Sequence, residues 1–571
     1  MVSMTIAVHR AATAALVSLA LAGLACTAAR PPGSAAATAG PGLAATNRAH
    51  PARTAPAQAR LVDRVPAPVL HWRTCRKTAQ CATARLPLDY RHPDGAKIRI
   101  ALLRIPARDP RHSLGTVFVN PGGPGDSARD FAFSATVPPA VPRKILDRFD
   151  IVGIDPRGVG GSTPIRCFTS QAQRARVEGP LTAAPFPVTA AAQRTWIGAA
   201  RALGRACSTT ARPIASAMST TEDARDMDVL RRALGDRKLT FLGVSYGSYL
   251  GLVYASMFPD RVRAMVLDGI VNPRALAGTP ATAGVPELNR LGAAVASDRV
   301  LSKLLALCQR AGRPACPFAG PHGSPGATAR FARLAAWLRA HPERLAVPGI
   351  KPVTFTYQNL IGDTGQWLRA PAGFRGLFPE VAGLARLTAP DHGGPGRAAV
   401  ARQVLRLHDA LQPGPVPFDH LAASSGVLCT DGLHAADAAA WPAAAAAASR
   451  QARYFGAAFA WDTAQCATGT WTAQDPDVYR GPFGRRTSAP VLLIGARWDP
   501  ATSFASAVET ARMLPGSRLV ASDSWGHTAL LTSACVDNTV WDYLLRPLAP
   551  APKITHCRGD VQPFTPGPAA G

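Results

Sequence analysis

Short apolar runs recur along this chain, and most of them end in a turn rich in glycine, proline or aspartate. They lie at residues 116–119, 149–154, 239–242, 264–269 and 491–495, with a shorter one at 518–520. A short apolar run bounded by turn residues is typical of a buried strand. The runs at 84–88 and 98–105, separated by a His-Pro-Asp-Gly turn, predict a hairpin. Helical patterns such as residues 220–234 lie between the runs, which predicts an α/β fold with a mostly parallel sheet.

The strand pattern stops at about Pro273 and resumes at Ala489, and the intervening segment is helix-rich. An insertion of this size after a late core strand predicts a helical cap over the functional edge of the sheet. The predicted organisation is a signal peptide (1–29), a flexible leader or pro-segment (30–66), a core in two parts (67–272 and 483–562), a cap (273–482) and a disordered tail (563–571). The leader is Ala-, Pro- and Gly-rich and has few large apolar groups to bury.

The N-terminus has the layout of a secretory signal peptide. Arg10 precedes an apolar run at 11–25, and small residues follow it. Cleavage before Cys26 would give a lipid-anchored protein. Gly23 stands where leucine is usual in a lipobox, so release is favoured over anchoring.

Composition and charge narrow the possible partners. The 571 residues carry a formal net charge of +27 and are 47% hydrophobic, which indicates an ordered globular protein. The arginines are scattered without dense runs or interleaved aromatic residues, which disfavours a nucleic-acid partner. Weak adhesion to an anionic cell wall is compatible with this charge, and we expect a monomer.

Cysteine usage supports export. Of 11 cysteines, loss of Cys26 with the signal leaves an even number, as a disulfide-bonded secreted protein requires. We interpret the remaining cysteines as sequential pairs, although spacing alone does not fix connectivity: Cys75 with Cys81, Cys167 with Cys207, Cys308 with Cys316, Cys429 with Cys466, and Cys535 with Cys557. Neither a CxxC motif nor a His-rich cluster is present, so no metal site is predicted.

The segment around Ser245 carries the strongest chemical signal. Gly243-Val-Ser245-Tyr246-Gly247 lies between a predicted strand and a predicted helix. This pattern forces the serine onto a sharp turn at the top of a sheet, where the helix N-terminus can stabilise an oxyanion. Ser245 is the candidate nucleophile, and a purely structural turn is the alternative.

A second glycine-rich loop, residues 120–125 (Asn-Pro-Gly-Gly-Pro-Gly), directly follows a predicted strand. In α/β-hydrolases such a loop supplies one oxyanion donor, and the residue after the nucleophile supplies the other. We therefore predict the backbone of Gly123, or less securely Gly122, together with that of Tyr246. An ordinary Pro/Gly turn is the alternative.

Two later loops supply candidates for the acid and the base. Asp499 follows the strand at 491–495, and His527 follows the strand at 518–520. The order serine, acid, histidine is that of α/β-hydrolases, in which the acid holds the imidazole and the imidazole activates the serine. Asp268, also at a strand end, is the alternative acid.

Taken together, these motifs resemble the secreted tripeptidyl aminopeptidase group of actinobacteria, relatives of prolyl iminopeptidases in the α/β-hydrolase superfamily. The resemblance runs from about Trp72 to Cys557. It rests on NPGGPG at 120–125, DPRGVGGS at 155–162, GVSYGSYLG at 243–251, LDGIVNP at 267–273 and GHT at 526–528. Two positions depart from the wider superfamily: Asn120-Pro121 stands where prolyl iminopeptidases have histidine, and Trp525 stands where a small residue is common.

The resemblance implies a serine peptidase that removes short peptides, typically tripeptides, from free N-termini without a metal or organic cofactor. A carboxylate must then bind the substrate ammonium. The cap offers Glu287, Asp363, Glu380 and Asp431, and Asp431 is preferred because it lies near Cys429. A secreted esterase or small-molecule amidase with the same triad is the alternative enzyme. A cationic wall-binding protein with a vestigial site is the alternative that is not an enzyme.

Overall fold

The computed structural model describes residues 50–76, 78–134, 141–321, 326–389, 396–412, 419–550 and 555–565. The predicted signal peptide, Cys26 and the first part of the predicted leader lie outside these residues.

A ten-stranded mixed sheet forms the centre of the core, with strand order β1-β2-β3-β5-β4-β6-β7-β10-β11-β12. The antiparallel β2–β3 pair is the predicted hairpin, and β4, β6, β7, β10 and β11 run parallel to one another. The strands are β1 Arg73–Arg76, β2 Ala79–Pro87, β3 Lys97–Ile105, β4 Thr116–Asn120, β5 Asp150–Ile154, β6 Leu239–Val244, β7 Val262–Asp268, β10 Val491–Trp498, β11 Arg518–Trp525 and β12 His556–Cys557. Every strand that the sequence predicts is present.

The central strands are apolar because both faces of the sheet are covered. All residues of β4 and β6 are buried, as expected for parallel strands between helical layers. The core helices are α1 Pro56–Asp63, α2 Ala128–Ser134, α3 Arg143–Leu146, α4 Gln171–Thr182, α5 Ala190–Thr210, α6 Arg212–Ala215, α7 Thr220–Ala233, α8 Tyr246–Met257, α19 Phe504–Met513 and α20 Ala534–Leu545. The loops after the parallel strands meet at one edge of the sheet, where ligands bind in open α/β sheets.

The predicted cap is present, with its own hydrophobic core. It also contains a two-stranded antiparallel sheet that was not predicted, β8 Glu343–Val347 and β9 Ile350–Phe355. Its helices are α9 Pro273–Ala277, α10 Glu287–Arg290, α11 Ala293–Ala315, α12 Ala327–Ala340, α13 Tyr357–Arg369, α14 Phe374–Leu387, α15 Arg397–Ala410, α16 His420–Asp431, α17 Trp441–Gln451 and α18 Phe455–Ala460. Trp196 and Ala200 of α5 join the cap core, so the predicted boundary at residue 273 leaves out part of the cap's packing.

Two predictions of disorder are wrong where the structure describes the chain. Within the predicted leader, α1 packs on the core: Val62 is fully buried, and Arg232 donates hydrogen bonds to the carbonyls of Val62 and Val65. In the predicted tail, the Phe564 ring lies 5.4 Å from the rings of both Phe374 and Phe378. A few apolar groups suffice in both places because the rest of the fold already presents a complementary surface.

Five disulfides lie within the described residues, and they join the sequential pairs Cys75–Cys81, Cys167–Cys207, Cys308–Cys316, Cys429–Cys466 and Cys535–Cys557. No helix in the described ranges has the length and apolar character needed to span a membrane.

Arg157 ties the hairpin to the central helices. It is fully buried and forms ion pairs with Asp226 (2.8 Å) and Glu222 (3.0 Å) of α7. Its guanidinium also donates to the carbonyls of Pro87 and Leu88 at the end of β2. The turn after β5 is therefore a structural junction.

Replacing Arg157 with alanine is expected to lower the free energy of unfolding by about 3–5 kcal/mol, because buried Asp226 loses its cation and buried Glu222 keeps only Arg225. Arg143→Ala is the matched control: this arginine is 82% exposed and pairs with Asp147 one helical turn away, and its loss should cost at most about 1 kcal/mol. Urea unfolding at pH 7 measures both changes. Equal losses would contradict the role given to Arg157.

Candidate active site

Ser245 lies on the strained turn that its sequence predicts. It joins β6 to α8 with φ 58° and ψ −124°, a conformation that non-glycine residues rarely adopt. Its N–H donates to the Asp268 carbonyl at 2.8 Å, and Ser248 Oγ donates to the Ser245 carbonyl at 2.6 Å. These bonds hold the turn between β7 and the first turn of α8.

The Asn120–Gly125 loop lies directly against this turn. A Cβ at Gly122 would lie 2.5 Å from the Val244 carbonyl oxygen and 2.7 Å from the Tyr246 nitrogen. A Cβ at Gly247 would lie 2.6 Å from the Asn120 carbonyl oxygen. Real side chains do not reach these distances, so only glycine lets the two loops approach so closely.

The two predicted oxyanion donors are at this contact. The Gly122 N–H is taken by the Asn120 side chain at 2.9 Å. Within the described residues, the N–H groups of Gly123 and Tyr246 donate to no protein acceptor. Tyr246 is the first residue of α8, where helix geometry leaves N–H groups unpaired. The structure therefore favours Gly123 over Gly122 as the donor from this loop.

The structure brings Asp499 and His527 together. His527 Nδ1 lies 3.0 and 2.9 Å from the two Asp499 carboxylate oxygens, and both side chains are almost fully buried. Asp499 also accepts bonds from the N–H groups of Ala501, Thr502 and Thr528 and from the Thr502 hydroxyl. The carboxylate is thus fixed by its own turn and can hold the imidazole in one orientation.

The electrostatics keep Asp499 ionised. Burial alone would raise the pKa of this carboxyl, but the His527 charge and the hydrogen bonds together hold the pKa below its usual value. A permanently charged acid is what an imidazole needs if it is to accept a proton during catalysis.

Ser245 and His527 both lie near the end of β7. Ser245 bonds to the Asp268 carbonyl, and a Cβ at the next residue, Gly269, would lie 3.3 Å from His527 Cε1. No hydrogen bond joins Ser245 Oγ to the imidazole in the described part of the chain. Because Nδ1 faces Asp499, Nε2 is the nitrogen left for the serine, and such contacts often tighten only when substrate binds.

Asp268, the alternative acid, has a different set of partners. Its buried carboxylate accepts hydrogen bonds from the N–H groups of Ala529 and Leu530. Burial raises its pKa to about 6. Asp268 therefore supports the backbone just after His527, whereas Asp499 contacts the ring.

Trp525, which departs from the common superfamily pattern, supports the same pair. Its ring stacks on Trp498 with centroids 4.8 Å apart and planes 10° from parallel, and its Nε1 donates to Gln562. Trp498 immediately precedes Asp499, so the stack joins the loops that carry the acid and the base.

Asp431, the preferred amine ligand, lies deep between cap and core. It is 1% exposed, and its carboxylate accepts from both the N–H and the hydroxyl of Thr220. The same hydroxyl contacts the Tyr246 hydroxyl. Burial raises the Asp431 pKa to about 7. This geometry favours a role in positioning Tyr246 over contact with a substrate.

Glu287 is fully buried, and neither carboxylate oxygen has a hydrogen-bond partner in the described structure. Burial raises its pKa to about 8, with Arg290 opposing the rise and Asp431 adding to it. His434 Nε2 lies 3.9 Å away, and burial lowers the pKa of this histidine to about 4. At neutral pH a protonated acid therefore lies beside a neutral imidazole.

Two charged residues near the His527–Asp499 pair were not predicted from the sequence. Arg369 ends α13, and its carbonyl accepts the His527 N–H at 2.8 Å. Burial lowers the pKa of Arg369, and the negative charges of Asp499, Asp462 and Asp126 partly offset this change. Asp499 is held by His527 and Asp126 pairs with His420, whereas the Asp462 side chain has no hydrogen bond or ion pair among the described residues. Asp462 lies far from the glycine-rich loops in the sequence and belongs to no motif, so no local pattern indicates it.

A central parallel sheet, a serine on a tight strand-to-helix turn and a His–Asp pair on the two following loops are the features of α/β-hydrolases. A family model described as "alpha/beta hydrolase fold" matches residues 115–298, and one described as "TAP-like protein" matches residues 452–557. The chain belongs to the α/β-hydrolase superfamily.

Curated relatives fall into two groups. The "Tripeptidyl aminopeptidase" of Streptomyces coelicolor is 41% identical over 211 residues, which is 36% of this chain and 38% of that enzyme's length. "Serine protease Hip1" of Mycobacterium tuberculosis is 37% identical over 36% of this chain and 40% of its own. "Carboxylesterase B" of M. tuberculosis is 31% identical over 503 residues, 84% of this chain and 88% of that protein.

Replacing Glu287 with glutamine is expected to flatten the pH dependence of stability. An acid with a raised folded-state pKa stabilises the fold while it is protonated, so stability falls as pH rises from about 4.5 to about 8. Glutamine removes this loss and should raise the urea midpoint at pH 8 more than at pH 5. Asp542→Asn, an acid that is 57% exposed, is the control. A variant that follows the wild-type pH profile would contradict a raised Glu287 pKa.

Proposed function

We propose that this protein is a serine exopeptidase that releases short peptides, tripeptides in the family's usual manner, from free N-termini. The observation that carries the proposal is the buried His527–Asp499 pair, which lies across Gly269 from a serine at positive φ. On the other side of that serine are two backbone N–H groups without protein acceptors.

In the proposed acylation step, Ser245 Oγ attacks the scissile carbonyl while His527 Nε2 takes the hydroxyl proton. Asp499 stabilises the resulting imidazolium through Nδ1. The N–H groups of Gly123 and Tyr246 donate to the oxyanion as the carbonyl oxygen becomes negative. His527 then protonates the leaving amine, and a tripeptidyl ester of Ser245 remains.

Deacylation uses the same groups with water as the nucleophile. His527 takes a proton from water, the hydroxide attacks the ester, and the proton returns to Ser245 as the peptide leaves. Every proton transfer runs between His527 and a reacting oxygen or nitrogen.

Amine recognition separates an exopeptidase from a general hydrolase. Three acids interact electrostatically with Arg369. Among the described residues, only the Asp462 side chain of these three forms no hydrogen bond or ion pair. Asp462 is also close to the oxyanion loop: Gln465 bonds both the Asp462 carbonyl and the Ser425 hydroxyl, and the neighbouring Ser424 lies against Gly125. We therefore assign the substrate ammonium to Asp462 in place of Asp431.

The relatives support two substrate classes. Those named as a tripeptidyl aminopeptidase and a serine protease match a third of this chain more closely, which favours a peptide. The relative named as a carboxylesterase aligns over most of the chain, so a secreted esterase with the same triad is the second candidate. The five disulfides support action outside the cytoplasm.

Ser245→Ala and Asp499→Asn are each expected to lower kcat on a tripeptidyl amide by at least about 10⁴-fold, because the first removes the nucleophile and the second the partner of His527. Asp268→Asn tests the alternative acid and should lower kcat far less. Ser449→Ala is the control for the serine, since its hydroxyl bonds only the Ala445 carbonyl of its own helix. Steady-state kinetics measure all four. If Asp268→Asn is the damaging variant and Asp499→Asn is mild, the assignment of the acid is wrong.

Asp462→Asn is expected to raise KM for peptides with a free N-terminus by about 10-fold or more, because a charged hydrogen bond to the ammonium is lost. Turnover of the N-acetylated peptide should not change. Asp437→Asn is the matched control, an exposed cap acid paired with Arg201. Equal effects on free and acetylated peptides would contradict amine binding at Asp462. If the wild type also hydrolyses both peptides equally, and esters faster, the esterase is the correct function.

A further inference from the structure

Three cap helices bring two carboxylates and an imidazole to one point in the cap interior. Asp363 lies on α13, Glu380 on α14 and His408 on α15, and one ligand atom from each lies within 4.8 Å of the others. Asp363 is 6% exposed and Glu380 is 1% exposed. His408 Nδ1 lies 2.6 Å from Asp363 Oδ2, and Trp367 Nε1 donates to Glu380 Oε2 at 2.5 Å.

The charges in this cluster do not balance. In the described part of the chain, neither carboxylate forms an ion pair with lysine or arginine, and His408 is the single basic partner. Glu380 Oε1 is buried, and besides the bond from Trp367 the Glu380 carboxyl has a hydrogen bond only with the Asp363 carboxyl among the described residues. Burial raises the pKa of both acids, that of Asp363 to about 7. Without a bound cation, two carboxyls this close together must share a proton.

A second acidic cluster shows how this protein balances such charges with its own side chains. Glu222, Asp475 and Asp477 also lie within metal-ligand distance of one another. There, Arg157 pairs with Glu222 at 3.0 Å and Arg225 pairs with Asp477 at 2.7 Å. Among the described residues, the cap cluster has no arginine in the equivalent place, so an external cation could take that role.

We propose that Asp363, Glu380 and His408 bind a divalent transition-metal ion, with Zn²⁺ as the best match. Two carboxylate oxygens and one imidazole nitrogen are common zinc ligands, and water can complete a tetrahedral shell. The ion would take the place of the protons now shared among the three side chains. Each ligand atom would move inward to reach zinc distances of about 2.0–2.2 Å.

The groups around the cluster suit this role. Trp367 already fixes one oxygen of Glu380, which leaves Oε1 for the ion. The other ring nitrogen of His408 lies 3.3 Å from the Gln412 side-chain nitrogen, so the outer side of the ring also has a polar neighbour. Calcium and magnesium are poorer candidates because they prefer all-oxygen shells.

The ion would stabilise the cap and would not touch substrate. It would join α13, α14 and α15, and α13 ends at Arg369, whose carbonyl accepts the His527 N–H. Zinc binding should therefore make the cap more rigid next to the catalytic loop. This inference does not depend on which substrate the active site cleaves.

The test uses the full-length protein as purified and after treatment with EDTA. After re-addition of Zn²⁺ and desalting, mass spectrometric metal analysis should find one zinc per chain. Zn²⁺ should also raise Tm, and Ca²⁺ should not. Binding should release protons, visible as a heat that depends on the ionisation enthalpy of the buffer.

Glu380→Gln keeps the shape of the side chain but removes a ligand charge, and it should weaken zinc binding by at least about 10-fold. Asp363→Asn is the second variant in case the first does not fold. Asp475→Asn, in the arginine-balanced cluster, is the matched control and should bind zinc as the wild type does. Wild-type protein without stoichiometric zinc, or Glu380→Gln with wild-type affinity, would overturn the proposal. Either result would mean that shared protons alone balance the cluster.

Discussion

The close contact between the Asn120–Gly125 loop and the Ser245 turn is the constraint on which the rest of the site depends. Backbone atoms of the two segments are so close that neither Gly122 nor Gly247 has space for a Cβ. Because β4 and β6 are adjacent parallel strands, their following loops leave the sheet side by side. The order of the strands therefore brings the Ser245 turn and the two N–H groups to one point, whatever the other side chains are.

The cap covers this edge of the sheet, and two of its segments contact the core loops directly. Helix α16 lies over the oxyanion loop, where Ser424 contacts Gly125. The last turn of α13 holds His527 through the Arg369 carbonyl, and its Ala370–Pro371 segment fits against Gly526. A displacement of α13 would thus move His527 itself. The cluster of Asp363, Glu380 and His408 is therefore linked to His527 through helix α13.

Features with a local sequence signature were predictable, and features built from distant residues were not. The strands, the Ser245 turn, and the acid and base each follow from a short pattern with a fixed chain order. Asp462 and Arg369 lie on cap segments with no motif, and only folding brings Arg369 near both Asp462 and Asp499. The surroundings of Asp431 were not predictable for the same reason: its position near Cys429 gave no sign that Thr220 would bond its carboxylate. Helix α1 was not predicted because its few apolar residues are buried only by packing on the folded core, which a local sequence pattern does not reveal.

The distribution of charge bears on the proposed recognition of a substrate amine. Among the buried charged residues that the structure describes, aspartate and glutamate outnumber arginine fourteen to three, although the chain has 63 basic and 36 acidic residues. With acids drawn inward, the surface is still more basic than the net charge of +27 suggests. A substrate ammonium is therefore repelled by the molecule as a whole at long range, although salt screens this repulsion beyond about 8–10 Å. Burial lowers the pKa of Arg369, and the nearby charges of Asp499, Asp462 and Asp126 oppose this change. Under the proposed exopeptidase function, a cationic N-terminus would be attracted by Asp462 only after it has entered the site, so selection for a free amine would arise in the bound state and not during approach.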